Sequence, residues 1–320
     1  MPEAIGYFRQ VLVVAQKLGD PELLALPSLS IGTVLYFQGH FSKAEALLRQ
    51  AITAFEQLGD WAVWIRAVSL HGFALGLTGG YAEGLAECQR ALARARELNY
   101  LYGIAMSNAC MSGIYAAAGS LACATEISQQ GIEAAEHSGD RVLVYLCYLN
   151  RCYAELCALK SGAADESITK CQAILQELGG QLIASDIVAS TLSEIALVKG
   201  QIEQALSLAE QAVAMAHKMD GICGEGMARQ VWGRSLAAMS PPRWDEAEAQ
   251  MAESLRLFEL GEARLFAARM QVHWGIICRD RGNTHNAREH FEKAAAQWTA
   301  SNIPWELDRV NKLIAELPKT

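Results

Sequence analysis

Proline is scarce, at 7 of 320 residues, and runs of Val, Ile, Thr and Tyr that would alternate as strands are few. These two absences exclude a Pro-rich linker protein and a β-rich domain. Charge is also thin: 19% of residues are Asp, Glu, Lys or Arg, 27 basic against 35 acidic, for a net −8, and the basic residues are scattered singly. A broad nucleic-acid-binding surface is therefore not expected. No Gly-x-x-x-x-Gly-Lys-[Ser/Thr] occurs, so these residues hold no ATP-binding loop of that type. Met1-Pro2-Glu3 leads straight into an amphipathic pattern, without the basic start and apolar stretch of a secretion signal. A cytoplasmic location is the expectation.

The chain does have apolar residues, 52% of the total, enough for a sizeable core, with Ala, Leu, Glu and Gln recurring in a helix-favouring balance. Nine cysteines, an odd number, sit amid apolar helical patterns at positions such as Cys88, Cys110, Cys123, Cys171, Cys223 and Cys278 and read as reduced core thiols. Leu98 to Thr125 carries no charge, yet it contains Asn99, Ser107, Asn108, Ser112 and Ser120, which favours a buried helix pair over a membrane span.

Helix-ending signals recur about every 40 residues: Leu18-Gly19-Asp20, Leu58-Gly59-Asp60, Leu98-Asn99-Tyr100, Ser138-Gly139-Asp140, Leu178-Gly179-Gly180, Met219-Asp220-Gly221, Leu260-Gly261-Glu262 and Ser301-Asn302-Ile303. Gly or Asn past a helix can take the left-handed conformation, and a following Asp can cap the next helix. Tighter breaks lie midway, at Gly39-His40, Gly79-Gly80, Gly119-Ser120, Gly200-Gln201 and Gly282-Asn283, so each unit is two antiparallel helices. Small and apolar residues keep fixed offsets around them. Gly32, Leu35, Gly39, Phe41, Ala44, Leu48 and Ala51 are followed by Gly72, Leu75, Gly79, Tyr81, Gly84, Cys88 and Ala91, and later by Gly275, Cys278, Gly282, Thr284, Ala287, Phe291 and Ala294.

These offsets resemble the tetratricopeptide repeat family, along essentially the whole chain. The period departs from the usual ~34 residues, and Glu56 stands where a helix-ending proline is usual. Long second helices ending in Leu-Gly-Asp are similar to the variant repeats that follow the ATPase of large bacterial signalling proteins, among them MalT-like regulators and cyclase–ATPase hybrids. The resemblance implies an all-α fold, a right-handed solenoid of antiparallel helix pairs: a half repeat over 1–19, about seven pairs over 20–301 and a capping helix over 302–320. In that cap Leu307, Val310, Ile314 and Leu317 make the apolar face and Glu306, Asp308, Arg309, Lys312 and Glu316 the charged one. At the front, Ile5, Phe8, Leu12 and Ala15 form the face of a second helix with no first helix before it, which suggests a piece of a longer polypeptide or an end that dimerises. Longer turns are expected at Leu159–Ala164, before a helix starting near Asp165, and at Met239–Trp244.

Catalytic and metal chemistry find little support. Cys147, Cys152 and Cys157 are spaced by five, which turns successive thiols about 500° around a helix and away from one another. His285 and His290 lack the arrangement of a zinc protease, and the Gly-rich stretches Gly76–Gly80 and Gly221–Gly226 mark repeat boundaries. No cofactor, metal or enzymatic activity is expected. Recognition remains. The first helix of each pair lines the concave face, and the repeat geometry puts Tyr36, Phe37, Arg66, Phe73, Tyr153, Gln230, Arg234, Arg269 and Arg279 there, with Glu194 as an acidic exception. Aromatics with Arg suit a recognition surface for a protein or peptide with acidic groups, or an anionic small ligand. The Trp residues Trp61, Trp64, Trp232, Trp274, Trp298 and Trp305 read as core. The functional expectation is a non-catalytic interaction or sensor module of a larger bacterial regulator. Alternatives are a stand-alone adaptor and a small-ligand receptor of MalT type.

Overall fold

A computed structural model describes residues 2–18 and 20–318, and among them the chain is all α-helix and connection. Helix α1 (Pro2–Leu18) precedes the pairs α2 (Pro21–Gln38) and α3 (Phe41–Leu58), α4 (Trp61–Leu77) and α5 (Tyr81–Glu97), α6 (Leu101–Ala117) and α7 (Leu121–Ser138), and α8 (Arg141–Cys157) and α9 (Ser161–Glu177). Then come α10 (Ser185–Val198) and α11 (Ile202–Met219), α12 (Ile222–Ala238) and α13 (Trp244–Leu260), α14 (Arg264–Asp280) and α15 (Thr284–Ala300), and finally α16 (Pro304–Glu316). No described helix is long and apolar enough to cross a membrane.

Local chemistry explains the periodic breaks. Asp20, Asp60 and Asp140 each accept a hydrogen bond from a first-turn backbone N–H, those of Glu22, Val63 and Leu143, and so cap α2, α4 and α8. Within pairs the fixed small residue admits a large one from the partner helix. A Cβ on Gly32 would lie 3.0 Å from Leu48, one on Gly275 only 2.4 Å from Phe291, and one on Gly84 2.4 Å from the carbonyl of Gly72. The second helices are amphipathic, with charge facing solvent, whereas first helices such as α6 are buried nearly all round. That is the position of the charge-free Leu98–Thr125 stretch.

The repeats do not stay open. The solenoid winds far enough for its later units to sit on its earlier ones: the turn at Gly39 meets Ile222, Cys223 and Gly261, the turn at Gly79 meets Arg264 and Ser301, and the turn at Gly119 meets Glu306. One core cluster crosses this seam, joining Phe41, Leu77 and Ala117 to Met227, Leu265 and Ile277. The last carbonyls of α6, which have no partner within the helix, are also met there. Arg269 Nη2 donates to Ala117 O at 3.0 Å, and Trp305 Nε1 donates to Ala118 O at 2.7 Å.

Several local expectations change. Helix α9 starts at Ser161 rather than near Asp165, because Leu159 takes the left-handed φ of 56° and a short turn suffices. The long connection instead precedes α10, through Gly179 and Gly180. At the Leu260-Gly261-Glu262 break it is Glu262 that takes positive φ, at 53°. Gly261 is small for another reason: a Cβ there would lie 2.3 Å from the Gly39 carbonyl across the seam. Glu306, assigned to the solvent face of the last helix, is buried at the seam with Arg269. Cys123 is exposed and Cys157 half-buried, while the other seven cysteines are buried, all of them free thiols. Trp305 is 40% exposed, whereas Trp64 and Trp298 are core. In α1, Leu12 and Ala15 are buried against the body; Met1, Gly19 and the side chain of Ile5 lie outside the described residues.

Candidate functional site: two chambers inside the closed solenoid

Closing the seam turns the concave face into an interior, and two cavities occupy it. The larger, about 490 Å³, is polar: Glu194, Gln230, Arg234, Arg269, His273 and Arg309 face it. The smaller, about 240 Å³, is aromatic, walled by Tyr36, Phe37, Phe41, Phe73, Tyr102 and Phe266, with Arg66 as its only cation among the described residues. Tyr153 and Met227 line both, so the chambers share a wall.

Side chains at one height of successive first helices build the aromatic chamber. Tyr36 and Phe37 at the end of α2 pack edge-on at 4.8 Å between ring centroids, and Tyr36 meets Phe73 of α4 at 5.1 Å. Burial raises the Tyr36 and Tyr102 hydroxyls above the ordinary tyrosine range. Asn150 from α8 spends its amide on Ala109 O at 2.8 Å. Asp140, which also reaches this chamber, is occupied as the cap of α8.

In the polar chamber most charges are already matched. Both Glu194 oxygens, on α10, accept from Arg234 Nη1 of α12, at 2.6 and 2.7 Å. Arg269 donates to Cys157 Sγ at 2.8 Å and lies 3.5 Å from Glu306. Burial works against its charge, but Tyr153, Cys157 and Glu306 more than offset this, so the guanidinium keeps its proton. Burial, reinforced by Arg234, Arg269 and Arg309, holds His273 well below the usual histidine range, so the imidazole is neutral. Burial also pushes the Cys157 thiol up, which keeps it a thiol and not a nucleophilic thiolate. The arrangement presents polar groups to the cavity, and among the described residues that line it no activated nucleophile stands beside a base.

Of the ten residues placed on the concave face from sequence, Tyr36, Phe37, Arg66 and Phe73 lie in the aromatic chamber, and Glu194, Gln230, Arg234 and Arg269 in the polar one. Tyr153 lines both. Arg279 lies outside both chambers, paired to Asp280 Oδ1 at 2.9 Å. Sequence reasoning missed Tyr102, Met227, Phe266, His273 and Arg309. For the first four, the available signal was their place on the first helices. Arg309 is on the terminal helix and reaches the chamber only because the superhelix closes.

No protein-family profile matches the chain, and no curated protein sequence does. Solved structures do match by shape. A Rap protein in complex with Competence and Sporulation Factor superposes over 97% of this chain and 80% of its own, with a TM-score of 0.67 at 14% identity. Aspartyl phosphate phosphatase F from Bacillus subtilis matches over 89% of this chain and 73% of its own, with a TM-score of 0.61 at 13% identity. The APC/C Cut9–Hcn1 assembly matches 89% of this chain and 55% of its own, with a TM-score of 0.52 at 12% identity. The fold is that of the tetratricopeptide repeat proteins. Against the ordinary repeat of that fold, this solenoid keeps the small-residue packing inside each pair and extends the second helix. At identities this low the likeness concerns the fold.

Proposed function

We propose that the chain is a non-catalytic recognition module, one solenoid over 1–320, whose ligand enters the interior and engages the chambers instead of spreading over an open groove. The observation that carries this reading is the interior itself: two adjoining cavities, one with several charged groups and one aromatic, both partly open to solvent. The ligand class that suits both is a short peptide or peptide-sized anion, with apolar groups in the aromatic chamber and polar ones beside Gln230 and Arg234. The Rap structure matched over most of its length carries a bound factor, Competence and Sporulation Factor, which supports a ligand-binding use of this fold. A parent regulator, bacterial and cytoplasmic, fits the resemblance to MalT-like and cyclase–ATPase proteins. In that setting the ligand biases how tightly the seam closes and so how the solenoid presents itself to an effector domain.

The test is a screen of short synthetic peptides and metabolite anions by thermal shift, on the wild type and on Gly113→Leu. A Cβ on Gly113 already lies 2.3 Å from the Phe73 ring, so a larger side chain drives that ring into the aromatic chamber. Ligands that stabilise the wild type and not the variant support an interior receptor. Partners recovered equally by both would move recognition to the outer surface and favour an adaptor. Immunoblotting source cells for a polypeptide well above 34.8 kDa tests membership of a larger regulator.

A further inference from the structure

The arginines of the interior differ in one respect. Arg234 is held by Glu194, and Arg269 by α6 carbonyls, Cys157 and Glu306; Arg309 lies 3.7 Å from Glu306. Arg66 has none of this. Among the described residues it makes no ion pair and no side-chain hydrogen bond, and its Nε is buried without an acceptor. Its neighbours include Tyr100 and Tyr102, and the two acids that share this neighbourhood, Asp60 and Asp140, accept from the first turns of α4 and α8. A guanidinium N–H left unpaired away from water costs free energy that only an acceptor recovers, and a carboxylate fits the guanidinium fork with two parallel bonds.

The chamber around Arg66 says what that carboxylate is attached to. Apart from Thr33, Asp140 and Asn150, of which Asp140 caps α8 and Asn150 donates to Ala109 O, the rest of its wall is aromatic, aliphatic or cysteine, and its volume of about 240 Å³ falls below the ~300–1,000 Å³ of pockets for drug-sized ligands. It holds roughly one amino-acid-sized apolar group. Resting on the receptor reading above, we infer that Arg66 is the anchor for a carboxylate borne by a compact apolar group, and that the aromatic chamber takes this group while the polar chamber takes whatever continues past Tyr153 and Met227. The same chemistry comes from two sources: a free aromatic or aliphatic acid, or the C-terminal residue of a peptide.

Isothermal calorimetry with three probes decides it: an apolar pentapeptide ending in Phe with a free carboxylate, the same peptide as its C-terminal amide, and 3-phenylpropionate. Wild-type protein is expected to prefer the acid peptide over the amide by about tenfold or more, the weight of a charge-assisted bidentate contact. Arg66→Gln is expected to abolish that preference, lowering acid binding to the level of the amide, and Arg66→Lys to restore part of it. Because Arg66 has no partner to lose, Arg66→Gln should melt at or above the wild-type temperature. The acid peptide binding well above 3-phenylpropionate assigns the site to a peptide end, and equal affinities assign it to a small acid. Acid and amide binding alike to the wild type, or a preference surviving in Arg66→Gln, overturns the Arg66 anchor. If that binding is nevertheless lost in Gly113→Leu, the receptor reading stands without it. Binding that is absent in the wild type, or unchanged in Gly113→Leu, overturns both.

Discussion

The polar and aromatic chambers share Tyr153 and Met227 as a wall and draw on the same kind of helix, yet they use arginine in opposite ways. In the polar chamber the guanidiniums hold the protein together: Arg269 ties α14 to α6, α8 and α16, and Arg234 ties α12 to α10. In the aromatic chamber Arg66 ties nothing. The difference teaches that an arginine counted on an inner face says little about binding until its partners are known. A cation already given two or three acceptors has little left for a ligand, whereas an orphan one among apolar groups has nearly everything left.

The largest expected effect is on the structural side of this contrast. Arg269→Met leaves the Ala117 carbonyl without its donor in a buried place and Glu306 with only the longer contact to Arg309, which costs about 3–5 kcal/mol as for other broken buried pairs. Urea denaturation measures the loss, and small-angle scattering should show a larger radius as the seam opens; an unchanged radius and midpoint would mean that apolar contacts alone close the superhelix. Next in size, Gly113→Ala pushes the Phe73 ring into the aromatic chamber at about 1–3 kcal/mol, the usual cost of overpacking. Ligand binding there should weaken while the Arg234–Glu194 pair persists, which a crystal structure of the variant would show.

A pH experiment isolates the polar chamber. The imidazole of His273 is held well below its unfolded value near 6.5 by burial and by Arg234, Arg269 and Arg309. Above that value the ring is neutral in both states. As pH falls below it the unfolded chain takes up a proton that the folded chain does not, and stability drops. His273→Gln removes that proton and should flatten the decline between about pH 6.5 and 5 by at most ~1.4 kcal/mol per pH unit. His40, His71 and His290, also shifted down by burial, leave a residual slope. The smallest effect belongs to Glu194→Gln. Its pair with Arg234, each side chain about a quarter exposed, is worth about 1 kcal/mol, so the fold survives, but the freed guanidinium should raise sulfate affinity in the polar chamber, read by calorimetry. No gain in affinity would mean that Arg234 is not free to turn toward the cavity.

Much of the fold is legible residue by residue. Gly32 facing Leu48 and Gly275 facing Phe291 follow from offsets that repeat along the chain, and Asp60 and Asp140 announce their caps. The candidate site is legible only in part. Tyr36, Phe73 and Arg66 follow from the rule that first helices face inward, but the same rule includes Arg279, which lines neither chamber and pairs with Asp280 at the edge of the polar one. It misses His273 and Tyr102. Glu306 misled for a physical reason: on an isolated amphipathic helix it belongs with the charged residues, and only the turn at Gly119, brought over it from the other end of the chain, makes its position an interior one.

By itself the sequence determined the helices, their pairing and their period, because caps, turn residues and small-residue contacts act over a few tens of residues and repeat in every unit. Only the tertiary structure decided that the solenoid closes, that its inner face holds two chambers, and which arginine lining them is left without a partner among the described residues. Superhelical pitch is the sum of small rotations at every pair of repeats. No single unit encodes it, and the contacts between Gly39 and Cys223, or Arg269 and Ala117, exist only once that sum is complete.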